Sequence, residues 1–129
     1  MKRDFISILD WTSEEIRSNL DFAVELKHQT KEGKCPQLLQ GKTFGLFFHK
    51  PSLRTRLSFE VGITHLGGTA IVLTEQDFKI GERETVSDVA RVMSRYVDCI
   101  LTRTFSHQMV LDLSKHATVP VVNMLTDFN

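Results

Sequence analysis

Cysteine, tryptophan and tyrosine are scarce in this sequence of 129 residues, which has two cysteines, one tryptophan and one tyrosine. Cys35 and Cys99 stand alone, with no CxxC pair and no histidine–cysteine cluster at the spacing of zinc ligands. The pattern therefore indicates no structural zinc site, and nothing in it supports the alternative of a single disulfide. We expect two reduced thiols in a cytoplasmic protein.

Long apolar runs and an excess of charge of one sign are also missing. No run approaches the roughly 18 apolar residues of a membrane-spanning helix, and the charged start is not typical of a signal peptide. The 16 basic and 16 acidic residues are spread along the chain and give a formal net charge of zero. Because nucleic acids and anionic membranes attract a local basic excess, we expect neither as a partner.

A single domain of ordinary composition remains. The length lies within the usual range of about 100–150 residues, and hydrophobic residues make up 41% and charged residues 25%. Short apolar runs alternate with helical patterns. The predicted strands are residues 43–48, 69–73, 99–102 and 119–122. Helices are predicted after Thr12, which forms a capping box with Glu15, after Thr85 and Ser106, and over residues 54–66. This alternation predicts an α/β fold, a parallel β-sheet flanked by helices on both faces.

The loop after the first predicted strand holds the best candidate binding groups, because ligands of parallel sheets bind at the carboxyl ends of strands. It leads through Pro51 and Ser52 into a helix that starts with Arg54 and Thr55. A helix N-terminus offers unpaired amides, and a guanidinium matches phosphate or carboxylate oxygens. The loop contains neither GxxxxGK[ST] nor GxGxxG. The pattern fits an anion cradle, and it fits equally a capped helix with solvated arginines.

Arg103 repeats this arrangement after the third predicted strand, again just before a helix. An isolated arginine in such a place is commonly a surface charge. If the sheet is parallel, however, Arg103 and Arg54 lie at the same edge. The two guanidinium groups can then share one anion.

Several ordered motifs resemble one known family. Residues 50–56, Lys-Pro-Ser-Leu-Arg-Thr-Arg, with residues 57–62 and 66–68, resemble the carbamoyl phosphate motif of the aspartate and ornithine carbamoyltransferases. Residues 88–98, the Arg-Thr-Phe-Ser-His stretch at 103–107, and residues 119–123 with 125–127 favour the ornithine branch. The resemblance runs from Phe5 to Asn129. It implies the amino-terminal, carbamoyl phosphate-binding domain of such an enzyme.

The resemblance also assigns roles. Ser52, Leu53, Arg54 and Thr55 match the stretch that cradles the phosphate, partly through main-chain amides, and Arg103 matches a residue that reaches the phosphate and carbamoyl oxygens. The expected catalytic donors are Arg54, Thr55 and Arg103, with Arg56 in a supporting role. Many members have threonine where this chain has Leu53, a change that a backbone contact survives.

Further implications concern assembly and neighbouring side chains. Family members form trimers and lend a loop residue to the adjacent subunit's site; Lys79 is the matching position here, and a solvated loop lysine is the alternative. No metal or cofactor is implied. His49 flanks the cradle and is expected to act on it indirectly, whereas His107 is expected to pack or cap at a helix start. Cys35 and Cys99 do not match the family's active-site cysteine.

The family reaction converts carbamoyl phosphate and ornithine to citrulline and phosphate, a step of arginine biosynthesis and the urea cycle. Residues 1–129 are expected to form the carbamoyl phosphate-binding domain, truncated at its carboxyl end just before a His-Pro-x-Gln motif. The ornithine-binding domain is absent from it. We therefore expect a fragment that is inactive alone. The alternatives are an aspartate or other amine carbamoyltransferase and a non-catalytic, trimer-forming domain.

Overall fold

Helices and strands alternate along the chain in the computed structural model, which describes residues 2–50, 52–80 and 84–126. The strands are β1 (Thr43–Phe48), β2 (Thr69–Thr74), β3 (Cys99–Arg103) and β4 (Val121–Leu125). The helices are α1 (Ser13–Lys31), α2 (Leu53–His65), α3 (Val86–Tyr96) and α4 (His107–His116), with a 3-10 turn at Ile8–Asp10. Pro51 and the residues from Asp127 to Asn129, which figure in the predictions above, lie outside the described ranges.

The four strands form one parallel sheet in the order β2-β1-β3-β4. Successive strand residues face opposite sides of a sheet, so each strand contributes to two apolar clusters. Phe47 and Ile100 pack with Ala90 of α3 and Val110 of α4. Leu46, Leu101 and Phe48 pack on the other face with Ile63 of α2. The predicted α/β fold with helices on both faces is confirmed.

The first helix is predicted correctly but contributes no buried residue. Its capping box is present, because Thr12 accepts from the Glu15 amide and the Glu15 carboxylate accepts from the Thr12 amide. Along α1, Leu20 and Val24 remain 62% and 54% exposed. The apolar spacing of α1 therefore adds nothing to the two clusters of the described residues.

The last strand is displaced from its predicted position. The sequence predicts a strand at 119–122, whereas β4 begins at Val121 and continues to Leu125. The amino-terminal segment explains the difference, because the Phe5 amide donates to the Val121 carbonyl at 2.9 Å and the Asn123 amide donates to the Phe5 carbonyl at 2.7 Å. The Asn123 side chain adds a bond to the Ile6 carbonyl at 2.9 Å. These long-range bonds allow β4 to continue past the polar residue Asn123.

The strand order changes direction between β1 and β3. These strands are neighbours, yet β1 leads into α2 on one face and β3 leads into α4 on the other. The connections that follow them therefore leave the carboxyl edge of the sheet toward opposite faces. Ligands of open parallel sheets commonly bind at such a point.

Candidate anion-binding site

The amino end of α2 differs from that of the other three helices. Thr12, Thr85 and Ser106 each accept a hydrogen bond from an amide in the first turn of the helix that they precede. Ser52 makes no such side-chain bond within the described part of the chain, and the first turn of α2 carries no acidic residue. A helix dipole and unpaired amides are thus left to attract an anion.

Arg103 reaches this helix end from β3. Its guanidinium Nη1 donates a hydrogen bond to the Thr55 hydroxyl in the first turn of α2. The loops are also joined through the backbone, because the His49 amide donates to the Arg103 carbonyl at 2.8 Å. The Arg103 Nε is buried and has no hydrogen-bond partner among the described residues. A buried donor without an acceptor costs free energy, so we expect a ligand to accept a hydrogen bond from this atom.

The residues of the predicted anion cradle, Ser52 to Thr55, differ in their exposure and in their contacts. Ser52 and Thr55 are half-buried, whereas Leu53 is 71% exposed and Arg54 is exposed. Arg54 forms no ion pair within the described residues. Arg56 pairs instead with Glu60, Nε to Oε2 at 3.0 Å. The chain therefore brings Thr55 and Arg103 into contact and leaves the Arg54 guanidinium available to a ligand.

An open cavity of about 510 Å³ lies beside the cradle, between the loops that follow β1 and β2. Ser52, just before α2, lines it together with Leu53 and Arg56 of α2, and Glu75 and Gln76 line it from the β2–α3 loop. Neither Thr55 nor Arg103 is among its lining residues. The cavity therefore approaches the cradle from the β2 side of α2, whereas the Thr55–Arg103 contact lies on the β3 side.

Lys79 is not brought to the cradle of its own chain. Its neighbours are anchored, since the Phe78 ring lies 5.2 Å from the Phe47 ring and Ile80 is 5% exposed. Lys79 itself is exposed and does not line the cavity. A role in an adjacent subunit stays a prediction.

His49 makes contacts that the sequence did not indicate. Its Nε2 lies 2.7 Å from Glu75 Oε1, and its ring centroid lies 5.8 Å from that of Phe47 and 5.6 Å from that of Phe105. His107 Nδ1 lies 2.9 Å from the Thr126 hydroxyl. Neither pair has a signal in sequence spacing, because the partners are far apart in the chain and sit in loops or at element ends.

The two cysteines are free and half-buried. Burial, assisted by the negative charges of Asp4 and Asp98, raises the pKa of the Cys99 thiol to about 11, so it is protonated at neutral pH. In residues 2–50, 52–80 and 84–126, no group of three His, Cys, Asp or Glu side chains is arranged to hold a metal. None of the helices described there combines the length and apolar character needed to cross a bilayer.

Comparison with known proteins identifies close relatives. The ornithine carbamoyltransferase of Anoxybacillus flavithermus is 50% identical over 125 residues, which are 97% of this chain and 40% of that protein. The chloroplastic ornithine carbamoyltransferase of Pisum sativum is 52% identical over 128 residues, which are 98% of this chain and 34% of that protein. The ornithine carbamoyltransferase structure from Pyrococcus furiosus matches with a TM-score of 0.94 and 50% identity, covering 96% of this chain and 40% of that one.

This chain thus spans between 34% and 40% of the length of these relatives. The match to a protein family covers residues 3–129 and is described as aspartate/ornithine carbamoyltransferase, carbamoyl-P binding domain. The resemblance noted in residues 50–56 is confirmed. On these grounds the chain belongs to the aspartate/ornithine carbamoyltransferase family and corresponds to its carbamoyl-P binding domain.

Proposed function

We propose that residues 1–129 form the carbamoyl phosphate-binding half of an ornithine carbamoyltransferase active site. The observation that carries the proposal is the contact between Arg103 and Thr55 at a helix end that lacks a side-chain cap. A phosphate dianion accepts hydrogen bonds from the free amides of Ser52 to Thr55 and from the Arg54 guanidinium. The buried Arg103 Nε gains the acceptor that the described residues do not supply.

The same donors also stabilise the charge that develops during carbamoyl transfer. A neutral amine attacks the carbamoyl carbon, the bond from that carbon to the phosphate oxygen breaks, and phosphate leaves with the electron pair. The proton that the amine loses passes to the departing phosphate. Negative charge grows on the carbonyl oxygen and on the departing phosphate. Thr55 and Arg103, which are in contact before the reaction, stabilise that charge together with Arg54. Losing one preorganised donor of this kind costs on the order of a hundredfold in rate.

The acceptor amine in this proposal is ornithine, because the relatives that match nearly the whole chain are named for it. Aspartate and other amines are the alternatives. The acceptor-binding domain is proposed to lie outside residues 1–129, so this chain alone transfers no carbamoyl group. Assembly as a trimer, with Lys79 reaching an adjacent cradle, is proposed for the complete enzyme.

Calorimetric titration of the 129-residue chain with freshly prepared carbamoyl phosphate tests the proposal. Hydrogen bonds to charged groups contribute about 1.5–3 kcal/mol, so Arg54→Ala is expected to weaken binding by about 10- to 150-fold. Arg91→Ala is the matched control, since Arg91 is an exposed arginine on α3 whose nearest acid is Asp88 at 3.8 Å. Equal affinity of Arg54→Ala and the unaltered chain would contradict the assignment of the cradle.

A further inference from the structure

His49 connects the loops at the carboxyl edge of the sheet. Its amide bonds to the Arg103 carbonyl at 2.8 Å, which ties the β1–α2 loop to the end of β3. Its Nε2 lies 2.7 Å from Glu75 Oε1, which ties the same loop to the one that follows β2. Its ring packs between the rings of Phe47 and Phe105. The anion cradle begins three residues further along the chain, at Ser52.

One feature of the surroundings of His49 opposes protonation of its ring, and another favours it. The side chain is 17% exposed, and its Nδ1 is buried without a hydrogen-bond partner among the described residues. The neutral ring donates through Nε2 to Glu75 and leaves Nδ1 as an unpaired acceptor. The charged ring gains a full ion pair with Glu75 but adds a buried N–H that has no acceptor. These two effects oppose one another, so negative charge added beside the ring favours its charged form.

The charged groups that face His49 come from each neighbouring loop. Glu75 contacts the ring from the β2–α3 loop, and Arg103, at the end of β3, accepts a hydrogen bond from the His49 amide at its carbonyl. Lys50 Nζ lies over the Phe105 ring, 4.9 Å from its centroid, and the same ring contacts His49. A dianion bound at Ser52 to Thr55 adds negative charge beside this group and favours the charged ring. Histidine is the side chain whose charge ordinarily changes between about pH 5 and 8.

We propose that His49 is a positioning residue that couples anion binding at the cradle to uptake of a proton. The charged ring holds Glu75 and therefore draws the β2–α3 side of the cavity toward the β1–α2 loop, and it adds positive charge next to the cradle. The inference rests on the proposed function, because it requires an oxyanion at Ser52 to Thr55. The coupling between two bound ligands is reciprocal. If anion binding favours protonation of His49, then protonation of His49 must raise the affinity for the anion by the same factor.

Sulfate is the probe, because it stays a dianion from about pH 8 to about pH 6, the interval in which histidine changes charge. The 129-residue chain is titrated by calorimetry at both pH values and in two buffers of different ionisation enthalpy, which measures proton uptake directly. We expect sulfate to bind at least about fivefold more tightly at the lower pH, with net uptake of protons. His49→Gln is expected to bind sulfate with no pH dependence and no uptake, and Glu75→Gln, altered in an exposed loop, is expected to lose most of the dependence.

His65→Gln is the matched control, because His65 is exposed at the far end of α2 and should leave both readouts unchanged. Sulfate binding that is independent of pH and takes up no proton would overturn the role of His49 but would still support anion binding at Ser52 to Thr55. A pH dependence that survives in both His49→Gln and Glu75→Gln would overturn it as well. No sulfate binding at either pH would overturn the proposed function and this inference together.

Discussion

Replacement of Arg103 by methionine separates a binding role from a structural one. Arg103→Met keeps an unbranched side chain of the length of the arginine stem and removes the charged guanidinium. It loses the charge-assisted hydrogen bond to Thr55, worth about 1.5–3 kcal/mol, and it also removes the buried Nε that lacks a partner, a group whose burial costs about 1–3 kcal/mol. Thr55 is half-buried, so its hydroxyl can bond to water instead. The free energy of unfolding without ligand is therefore expected to stay within about 2 kcal/mol of its original value.

Ligand-induced stabilisation supplies the assay. An anion present at about 100 times its Kd stabilises a protein by about 2.7 kcal/mol. Urea unfolding of the unaltered chain with carbamoyl phosphate should show a gain of that size, and Arg103→Met should show almost none at the same concentration. Arg91→Met, altered at an exposed arginine, should keep the full gain. The reasoning fails if Arg103→Met is destabilised by more than about 2 kcal/mol without ligand and carbamoyl phosphate still protects it, since such losses are typical of arginines that hold a fold.

The remaining predictions concern Leu53 and Glu15. Leu53→Ala should change the affinity for carbamoyl phosphate by no more than about twofold, because the side chain is 71% exposed and the proposed contact uses the backbone; a tenfold loss by calorimetry would show a side-chain contact instead. Hydrogen bonds from Arg3, first, and from the Thr12 amide lower the pKa of Glu15 to about 2, so its stabilisation is present above the ordinary value of 4.5 and disappears as the pH falls toward 2. Urea unfolding at about pH 5 and about pH 3 should therefore show a smaller loss of stability for Glu15→Gln than for the unaltered chain; equal losses would contradict the pairing.

Local signals in the sequence predicted most of the fold. Thr12, Thr85 and Ser106 are short polar residues placed before apolar helical patterns, and each caps its helix as expected. The predicted position of β4 was wrong, and the reason is physical. Asn123 is a poor strand residue by propensity, yet its amide and side chain bond to the segment around Phe5, which lies more than a hundred residues earlier.

The candidate site was predictable to the extent that it depends on topology. Parallel strands end at one edge, so Arg54 and Arg103 were expected to lie at the same edge. The structure brings Arg103 into contact with Thr55, the residue after Arg54. The contact between His49 and Glu75 was not foreseen, because a histidine and a glutamate in separate loops carry no periodicity or spacing. Solvation of the helix end was an open alternative. The buried Nε of Arg103 and the lack of a Ser52 cap now favour the cradle.

The pairing of the amino-terminal segment with β4 has a consequence for how the chain is made. Asp4 bonds to the Val121 amide at 2.8 Å across a sequence separation of 117 residues. The amino-terminal partner therefore leaves the ribosome more than a hundred residues before the strand that it covers. Contacts of such separation are slow to form because a long loop must close before they contribute. The β4 edge of the sheet therefore stays open until residues 121–125 have been made, and an open strand edge is a place at which incomplete chains associate.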